Sequence, residues 1–235
     1  MKRRTPFALA VACLLAGAAA LAQTAAAPQA TPAAAPASLV ALPKPDTTGR
    51  IPLEQAIARR RSVREYAPGA LTLTEASQLM WVAQGITGPA GKRATPSARA
   101  VYPLQVWLVA NDVTGLAPGI YRYEPKEHAL ALVTPGDPRA SVAAAARGQA
   151  SIQHAAAVVA VAGDSALAAA KFGGNAARWL GMEAGFVVQD VYLEATVLGL
   201  GTVMVGGFDE SAAGRALGLP PGWEALALMP VGRRK

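Results

Sequence analysis

Residues 176–198 read AARWLGMEAGFVVQDVYLEATVL, a segment that lacks proline and carries apolar side chains around most of its circumference. This length and pattern predict an α-helix of about six turns. A helix that is apolar on nearly all sides is typical of the centre of a domain or of a contact between subunits. We therefore expect a long, buried central helix around which the rest of the fold is arranged.

The sequence on either side of this helix predicts strands and shorter helices. Thr72-Leu-Thr-Glu75 has the pattern of a capping box, which marks the start of a helix. Asp209 is expected to cap another short helix. The other expected elements are helices over residues 52–60 and 142–147 and strands over residues 104–110, 119–123, 129–133, 156–162, 202–205 and 225–231. Strands separated by helices in this way predict an α+β or α/β domain.

The first 22 residues are expected to be a secretory signal peptide. Lys2 to Arg4 precede an apolar stretch from Phe7 to Leu21, and small residues at Ala20 and Ala22 suit cleavage before Gln23. The stretch is shorter than the roughly 20 residues that a membrane span requires. We therefore expect export to the periplasm without a stable membrane span, by the Sec or the twin-arginine route.

Residues 23–49 are rich in alanine and proline, which predicts an extended linker, and the folded domain is expected over residues 50–235. Loss of the signal would remove three basic residues and no acid, so the formal net charge would fall from +7 to +4. That charge gives little support to a nucleic-acid partner. Cys13, the one cysteine, lies in the signal, so a disulfide, a thiolate nucleophile and a cysteine metal site are not expected in the mature chain.

Histidine content and glycine spacing argue against three common kinds of site. His128 and His154 are not clustered with other metal ligands, and the sequence has no Gly-x-Ser-x-Gly elbow. Structural roles are expected for both histidines. Gly199 and Gly201 follow a helix and precede a strand, which is the reverse of the order in a dinucleotide-binding fingerprint.

Three segments have residues suited to binding a ligand. Arg59-Arg-Arg-Ser-Val-Arg64 places four arginines and a hydroxyl within six residues, and guanidinium groups bind phosphate in a bidentate manner. Cations at the end of a helix also stabilise its dipole, which is the structural alternative. Thr95 to Pro103 form a loop with small and hydroxyl residues that could border a flat ring or serve as a connector. Gly201 to Asp209 contain glycines that let the backbone approach a ligand or serve a turn.

In their order along the chain, these segments resemble the nitroreductase superfamily and, within it, the SagB-type dehydrogenase branch. The matching features are the Arg-x-Ser-x-Arg box, the Pro-Ser-x-x-x-x-Tyr-Pro loop, the long helix, Leu-Gly-Leu-Gly with Gly-Gly-Phe-Asp, and a terminal Pro-Val-Gly-Arg. The resemblance covers residues 50–235. It implies an α+β, nitroreductase-like fold with a central mixed or antiparallel sheet flanked by helices, a long buried central helix, and a dimer.

The resemblance also implies an FMN-dependent oxidoreductase, a homodimer with FMN at the subunit interface. The cofactor-binding residues that it implies are Arg60, Arg61, Ser62 and Arg64, Pro96, Ser97 and Ala98 from the partner subunit, Gln149, Gly206 and Gly207 as backbone donors to the flavin, and Arg233 and Lys235 at the phosphate. Because the flavin carries the hydride, no catalytic side chain and no metal are expected.

The expected activity is hydride transfer between a donor, with NAD(P)H usual in the family, and a small organic acceptor in a ping-pong cycle. Two positions depart from the branch pattern: Phe186 follows Glu183-Ala-Gly185 where Gly-His is frequent after the acid, and Phe172 replaces a frequent tyrosine. Both departures concern the expected substrate face. They leave open an alternative, a non-catalytic flavin- or ligand-binding protein of the cell envelope.

Overall fold

The computed structural model describes residues 39–235; the expected signal peptide and most of the expected linker lie outside the described residues. The strands are β1 (Leu39–Ala41), β2 (Tyr66–Ala67), β3 (Leu71–Thr72), β4 (Leu104–Ala110), β5 (Val113–Thr114), β6 (Gly119–Glu124), β7 (Ala129–Pro135), β8 (Ala157–Asp164), β9 (Leu200–Thr202) and β10 (Trp223–Arg234). The helices are α1 (Leu53–Arg59), α2 (Leu73–Gln84), α3 (Arg139–Ala145), α4 (Ala150–Gln153), α5 (Ser165–Phe172), α6 (Ala176–Val197) and α7 (Glu210–Leu217).

One antiparallel sheet organises the described chain. Its strands lie in the order β1-β7-β6-β4-β8-β10-β2, and β9 pairs with β10 outside this path. The central strands β4 and β8 pair along their length, from Leu104 opposite Gly163 to Ala110 opposite Ala157. A separate parallel pair joins β3 to β5. The expected α+β fold with a central sheet is confirmed.

Helices cover both faces of the sheet because the strand residues alternate between two apolar faces. Val106 and Leu108 of β4 pack in the larger core cluster with α2, α5 and α6. Trp107 and Val109 point to the opposite face and pack in a second cluster with α3, α4 and α7. Both faces of β4 are therefore buried, which explains its almost uninterrupted apolar sequence.

The central helix α6 differs from the expectation in one respect. Its buried side faces the sheet through Val187, Val191 and Ala195, but Met182 and Phe186 are 51% and 43% exposed in the single chain. The helix is therefore buried on one side rather than all round. Of the helices in residues 39–235, none combines the length and apolar composition of a membrane span.

Residues 39–49 correct the expected domain boundary. β1 pairs with β7, with Leu39 opposite Ala131 and Ala41 opposite Ala129. Leu42 is buried in the larger core cluster. These apolar residues follow the Ala/Pro pattern directly, and their pairing partners lie about ninety positions away, so the sequence did not reveal the strand. The folded part thus includes residues 39–49, which were expected in the linker.

Other differences are shifts of element ends. The strand expected over residues 202–205 is β9, which ends at Thr202, and Val205 forms only an isolated bridge with Leu228. β10 extends beyond Val231 to Arg234, so the terminal arginines lie within a strand rather than after it. Helix α5 was not expected. Asp164 caps it by accepting a hydrogen bond from the Leu167 N–H.

The predicted capping box of α2 is present and also binds the C-terminal strand. The Thr72 hydroxyl accepts from the Glu75 N–H, and the Glu75 carboxylate accepts from the Thr72 N–H. The same carboxylate forms a bidentate ion pair with Arg233, with N···O distances of 2.6 and 2.8 Å. Burial alone would raise the pKa of Glu75, but the hydrogen bonds from Arg233 and Thr72 outweigh it and lower this pKa.

Glu75→Gln is expected to lower the free energy of unfolding by about 1–2 kcal/mol at neutral pH, because it removes the charge from a bidentate hydrogen bond. The pKa of Glu75 in the folded protein lies below its usual value of 4.5. The contribution is therefore complete above that value and is lost as the pH falls through the lower, folded pKa. Denaturant titrations from pH 7 to pH 3 measure it. A difference from wild type that does not shrink in acid would contradict the ion pair, and the exposed Glu127→Gln is the matched control.

Candidate functional site

The Arg-x-Ser-x-Arg box, residues 60–64, is extended and lies beside β9, and we call it the arginine segment. Arg60 caps the C-terminal end of α1 and leaves the helical conformation, with ψ of 125°. Ser62 forms a parallel bridge with Thr202, and the Val63 N–H donates to the Thr202 carbonyl at 2.8 Å. In an extended segment, alternate side chains share a side. Ser62 and Arg64 therefore point to the same side, and Arg64 is exposed there.

Two glycines allow residues 62–66 to pack closely on the sheet: Gly232 of the terminal Pro-Val-Gly-Arg motif and Gly201 of the Leu-Gly-Leu-Gly motif. A Cβ at Gly232 would lie 2.6 Å from Cγ of Tyr66, and a Cβ at Gly201 would lie 2.7 Å from Cγ1 of Val63. The Tyr66 hydroxyl donates to the carbonyls of Val63 and Pro230 at 3.1 Å each. Burial, together with the nearby Tyr192, raises the pKa of Tyr66, so its hydroxyl remains a proton donor. These glycines position the arginine segment against the sheet.

Tyr192 of α6 connects the arginine segment to the turn after β9, and no role was predicted for it. Its hydroxyl lies 3.0 Å from the Ser62 Oγ and accepts from the Met204 N–H at 2.7 Å. The guanidinium carbon of Arg60 lies 5.1 Å from the centre of the Tyr192 ring. Tyr192 could have been predicted from the sequence, because a tyrosine on an otherwise apolar helix face requires a hydrogen-bond partner for its hydroxyl.

The turn at Gly206 and Gly207 is exposed. Within the described residues, a Cβ at Gly207 would meet no atom closer than 4 Å, and one at Gly206 would meet only the Met204 side chain. The Gly207 carbonyl accepts from the Gln149 Nε2 at 3.0 Å, so Gln149 contacts the turn. The amides of both glycines make no hydrogen bond within residues 39–235. The turn thus offers two backbone donors to an approaching ligand.

The loop of Pro96, Ser97 and Ala98 is fixed on α6, away from the arginine segment of the same chain. The Ser97 hydroxyl and the Ala98 N–H donate to one carboxylate oxygen of Glu183, at 3.2 and 2.8 Å. Glu183 and Tyr192 are nine residues apart, which places them on opposite sides of the helix and about 13 Å apart along it. A single chain therefore does not bring this loop to Ser62.

Backbone strain marks the continuation of the loop. Arg99, Ala100 and Tyr102 have φ of 54°, 55° and 52°, in the left-handed region that non-glycine residues rarely adopt. The Ser97 Oγ accepts from the Tyr102 N–H at 2.8 Å, which helps to hold this conformation. Strained segments of this kind concentrate at functional sites.

The remaining expected site residues lie elsewhere or have other partners. Arg61 donates to the carbonyls of Ala58 and Arg60, which is a helix-end contact. The Arg233 guanidinium is held by Glu75 and by the Ala70 carbonyl, and none of these contacts is with the arginine segment. Lys235 forms an exposed ion pair with Glu65 at 2.7 Å.

Arg234 was not expected in the site, but the structure brings it near the arginine segment. A Cβ at Gly201 would lie 3.5 Å from the Cγ of Arg234 and 2.7 Å from Val63. Consecutive strand residues point to opposite faces, so Arg233 and Arg234 cannot share one side. The alternation of β10 therefore places Arg234, and not Arg233, on the side of Val63, which is opposite to the side of Ser62 and Arg64.

These groups fit an elongated ligand that is anionic at one end. Arg60, Ser62 and Arg64 provide cations and a hydroxyl, and the glycine turn provides free N–H donors beyond Met204. The buried Thr202 Oγ1, in the bridge with Ser62, has no hydrogen-bond partner among residues 39–235. The residue types and the open turn are suited to the phosphate and the ring system of FMN.

His128 has the structural role that was expected. Its Nε2 lies 2.9 Å from both the Ser77 Oγ and the Pro43 carbonyl, and its Nδ1 lies 2.8 Å from the Tyr123 hydroxyl. These contacts join residue 43 to α2 and β6. His154 is exposed at the end of α4.

The family model described as the nitroreductase family matches residues 57–233, and the chain belongs to this family. A Methanocaldococcus jannaschii protein named as a nitroreductase is 39% identical over 184 residues, which cover 78% of this chain and 92% of that protein. The crystal structure of a Ralstonia eutropha JMP134 protein named as a nitroreductase has a TM-score of 0.74 at 24% identity, over 84% of this chain and 90% of that one. The NADPH:FMN oxidoreductase of Vibrio harveyi has a TM-score of 0.56 at 18% identity, over 78% and 69% of the two chains.

Proposed function

We propose that this nitroreductase-family oxidoreductase depends on FMN, belongs to the SagB-type branch, and transfers hydride between a donor, with NAD(P)H as first candidate, and a small organic acceptor. The observation that carries the proposal is the hydrogen-bonded connection from Ser62 through Tyr192 to Met204. It joins a cationic segment to a turn with free N–H groups, which are the two parts that a phosphorylated flavin requires. The name of the Vibrio harveyi neighbour supports both the cofactor and the donor.

FMN, when bound, supplies the hydride chemistry. The contribution of this chain is to bind and orient. Arg60, Ser62 and Arg64 would hold the phosphate end, and the amides of Gly206 and Gly207 would face the flavin ring. Gln149 donates to the Gly207 carbonyl, which holds the peptide that directly follows these two donors. Backbone donors that are held in place before a ligand binds stabilise developing negative charge without reorganisation.

A homodimer completes the proposed site. Met182 and Phe186 on α6 and Leu53 and Ile57 on α1 are large, apolar and exposed in the single chain. Large exposed apolar side chains on two helices that pack against each other are typical of a protein contact. The loop at residues 96–98 lies on the side of α6 opposite Tyr192, so a partner subunit is the source from which such a loop would reach the ligand.

The visible absorbance spectrum tests the cofactor. We expect the purified protein to bind FMN with a shift of the flavin bands, and a suitable donor to reduce the bound flavin. Initial rates measured against donor concentration at several acceptor concentrations are expected to give parallel lines, and intersecting lines would argue against the ping-pong cycle. Bound flavin that no donor reduces would indicate the non-catalytic alternative. A protein that does not bind FMN would refute the assignment of the cofactor.

Export to the periplasm is part of the proposal and is supported by residues 1–22. Cleavage before Gln23 would release a chain that lacks Lys2 to Arg4 and Cys13. The mass of the protein recovered from the periplasmic fraction tests this cleavage, and an intact N-terminus in the cytoplasmic fraction would refute it.

A further inference from the structure

The hydroxyl of Tyr192 lies between the two parts of the proposed site, and its hydrogen bonds have a direction. The Met204 N–H is a donor only, so the Tyr192 oxygen accepts from it at 2.7 Å. Tyr192 then has one proton to donate, and the Ser62 Oγ is 3.0 Å away. Tyr192 is 8% exposed, so a proton without an acceptor there would carry a desolvation cost.

Two arrangements of the hydroxyl protons are available. If Ser62 donated to Tyr192, the buried tyrosine proton would have no acceptor among the described residues. If Tyr192 donates to Ser62, the Met204 N–H and the Tyr192 hydroxyl both have acceptors, and the Ser62 proton is directed away from Tyr192. The second arrangement satisfies the buried groups, and hydrogen bonds arranged in one direction strengthen one another.

On this basis, and resting on the proposed FMN function, we propose that Tyr192 is a positioning residue that makes Ser62 a hydrogen-bond donor to the ligand phosphate. The relay runs from the Met204 N–H to the Tyr192 hydroxyl, then to the Ser62 hydroxyl, and then to a phosphate oxygen. The relay makes the Ser62 hydroxyl a donor rather than an acceptor at the phosphate end of the site, where Arg60 and Arg64 provide positive charge.

The ring of Tyr192 has a separate role from its hydroxyl. Arg60 lies over the ring face, with 5.1 Å between its guanidinium carbon and the ring centre. Contacts of this type orient an arginine with little dependence on the hydroxyl. Tyr192→Phe therefore removes the relay and retains the contact with Arg60, which makes it the informative substitution.

The test compares FMN with riboflavin, which lacks the phosphate, by quenching of flavin fluorescence in the full-length protein. We expect Tyr192→Phe to weaken FMN binding about five- to tenfold, less than the loss of a whole hydrogen bond to a charged group, because the Ser62 hydroxyl itself remains. Riboflavin binding is expected to change less than about twofold, because no phosphate is present to accept from Ser62. Tyr121→Phe is the matched control, since it removes a buried tyrosine hydroxyl that donates to the Ala117 carbonyl.

A double-mutant cycle with Ser62→Ala isolates the relay. In the Ser62→Ala background, Tyr192→Phe is expected to have almost no further effect on FMN binding, because both changes interrupt the same chain of hydrogen bonds. Parallel loss of FMN and riboflavin binding, or additive effects in the cycle, would show a merely structural role and overturn the relay. If the wild-type protein binds neither flavin, the proposed function itself is refuted. If the wild-type protein binds FMN and Tyr192→Phe binds it equally well, only the relay is refuted.

Discussion

The Arg60→Ala/Arg64→Ala variant is expected to lose affinity for FMN by about a hundred- to ten-thousandfold and to remain folded. Each substitution removes charge-assisted hydrogen bonds to the phosphate, worth about 1.5–3 kcal/mol per group, and each 1.4 kcal/mol corresponds to about tenfold in affinity. Neither side chain belongs to the hydrophobic core clusters, and Arg64 is exposed. The free energy of unfolding in the absence of FMN should therefore change little.

Fluorescence titration at two salt concentrations measures this loss. Arg215→Ala on α7 is the matched control because it removes an exposed arginine outside the proposed site. Wild-type binding is expected to weaken with increasing salt, and the double variant should have lost most of that dependence. Unchanged FMN affinity in the double variant would contradict the assignment of this segment to the phosphate.

The parts of the fold that the sequence predicted depend on local signals. The capping box at Thr72 and Glu75 determines where α2 begins. The β4 strand was predicted with its observed ends because a seven-residue stretch that is apolar except for Gln105 lies between Pro103 and Asn111. The start of α6 was likewise predicted at Ala176. Each of these signals acts within a few residues of the element that it specifies.

The parts that the sequence did not predict depend on contacts between distant residues. Ser62 and Tyr192 are 130 positions apart, and Arg233 and Glu75 are 158 positions apart. The sequence alone does not show which side of the sheet Arg233 and Arg234 each occupy, because that depends on the pairing register of β10. The role of Glu183 as the anchor of Ala98 also emerged only from the fold, since 85 residues separate the two.

The glycines of the site have two different roles, although they lie in motifs that were recognised together. Gly201 and Gly232 lie in two of the matching motifs, yet both are required because the side chains of Val63 and Tyr66 pack against them. Gly206 and Gly207 instead leave open space. The motif therefore combines glycines that position the arginine segment with glycines that suit a ligand, and only the geometry separates them.

Met182→Glu is expected to convert the proposed homodimer into a monomer and to weaken FMN binding in the same step. Met182 is 51% exposed in the single chain, so a glutamate there is tolerated by the isolated fold. In a dimer interface the unpaired carboxylate would be buried, and we expect the dimer dissociation constant to rise at least about a hundredfold. Met182 is preferable to Phe186, which also bears on the expected substrate face.

Sedimentation velocity with absorbance detection at both protein and flavin wavelengths follows the two effects together. Val133→Glu is the matched control, because Val133 is an exposed apolar residue on β7, away from α6. A Met182→Glu variant that remains dimeric would exclude this face of α6 as the interface. A monomer that holds FMN as tightly as wild type would show that one chain suffices for binding, and the loop at residues 96–98 would then have no place in the partner's site. Concerted loss of dimer and cofactor is the result that a site shared between subunits requires, since Glu183 holds that loop on the side of α6 opposite Tyr192.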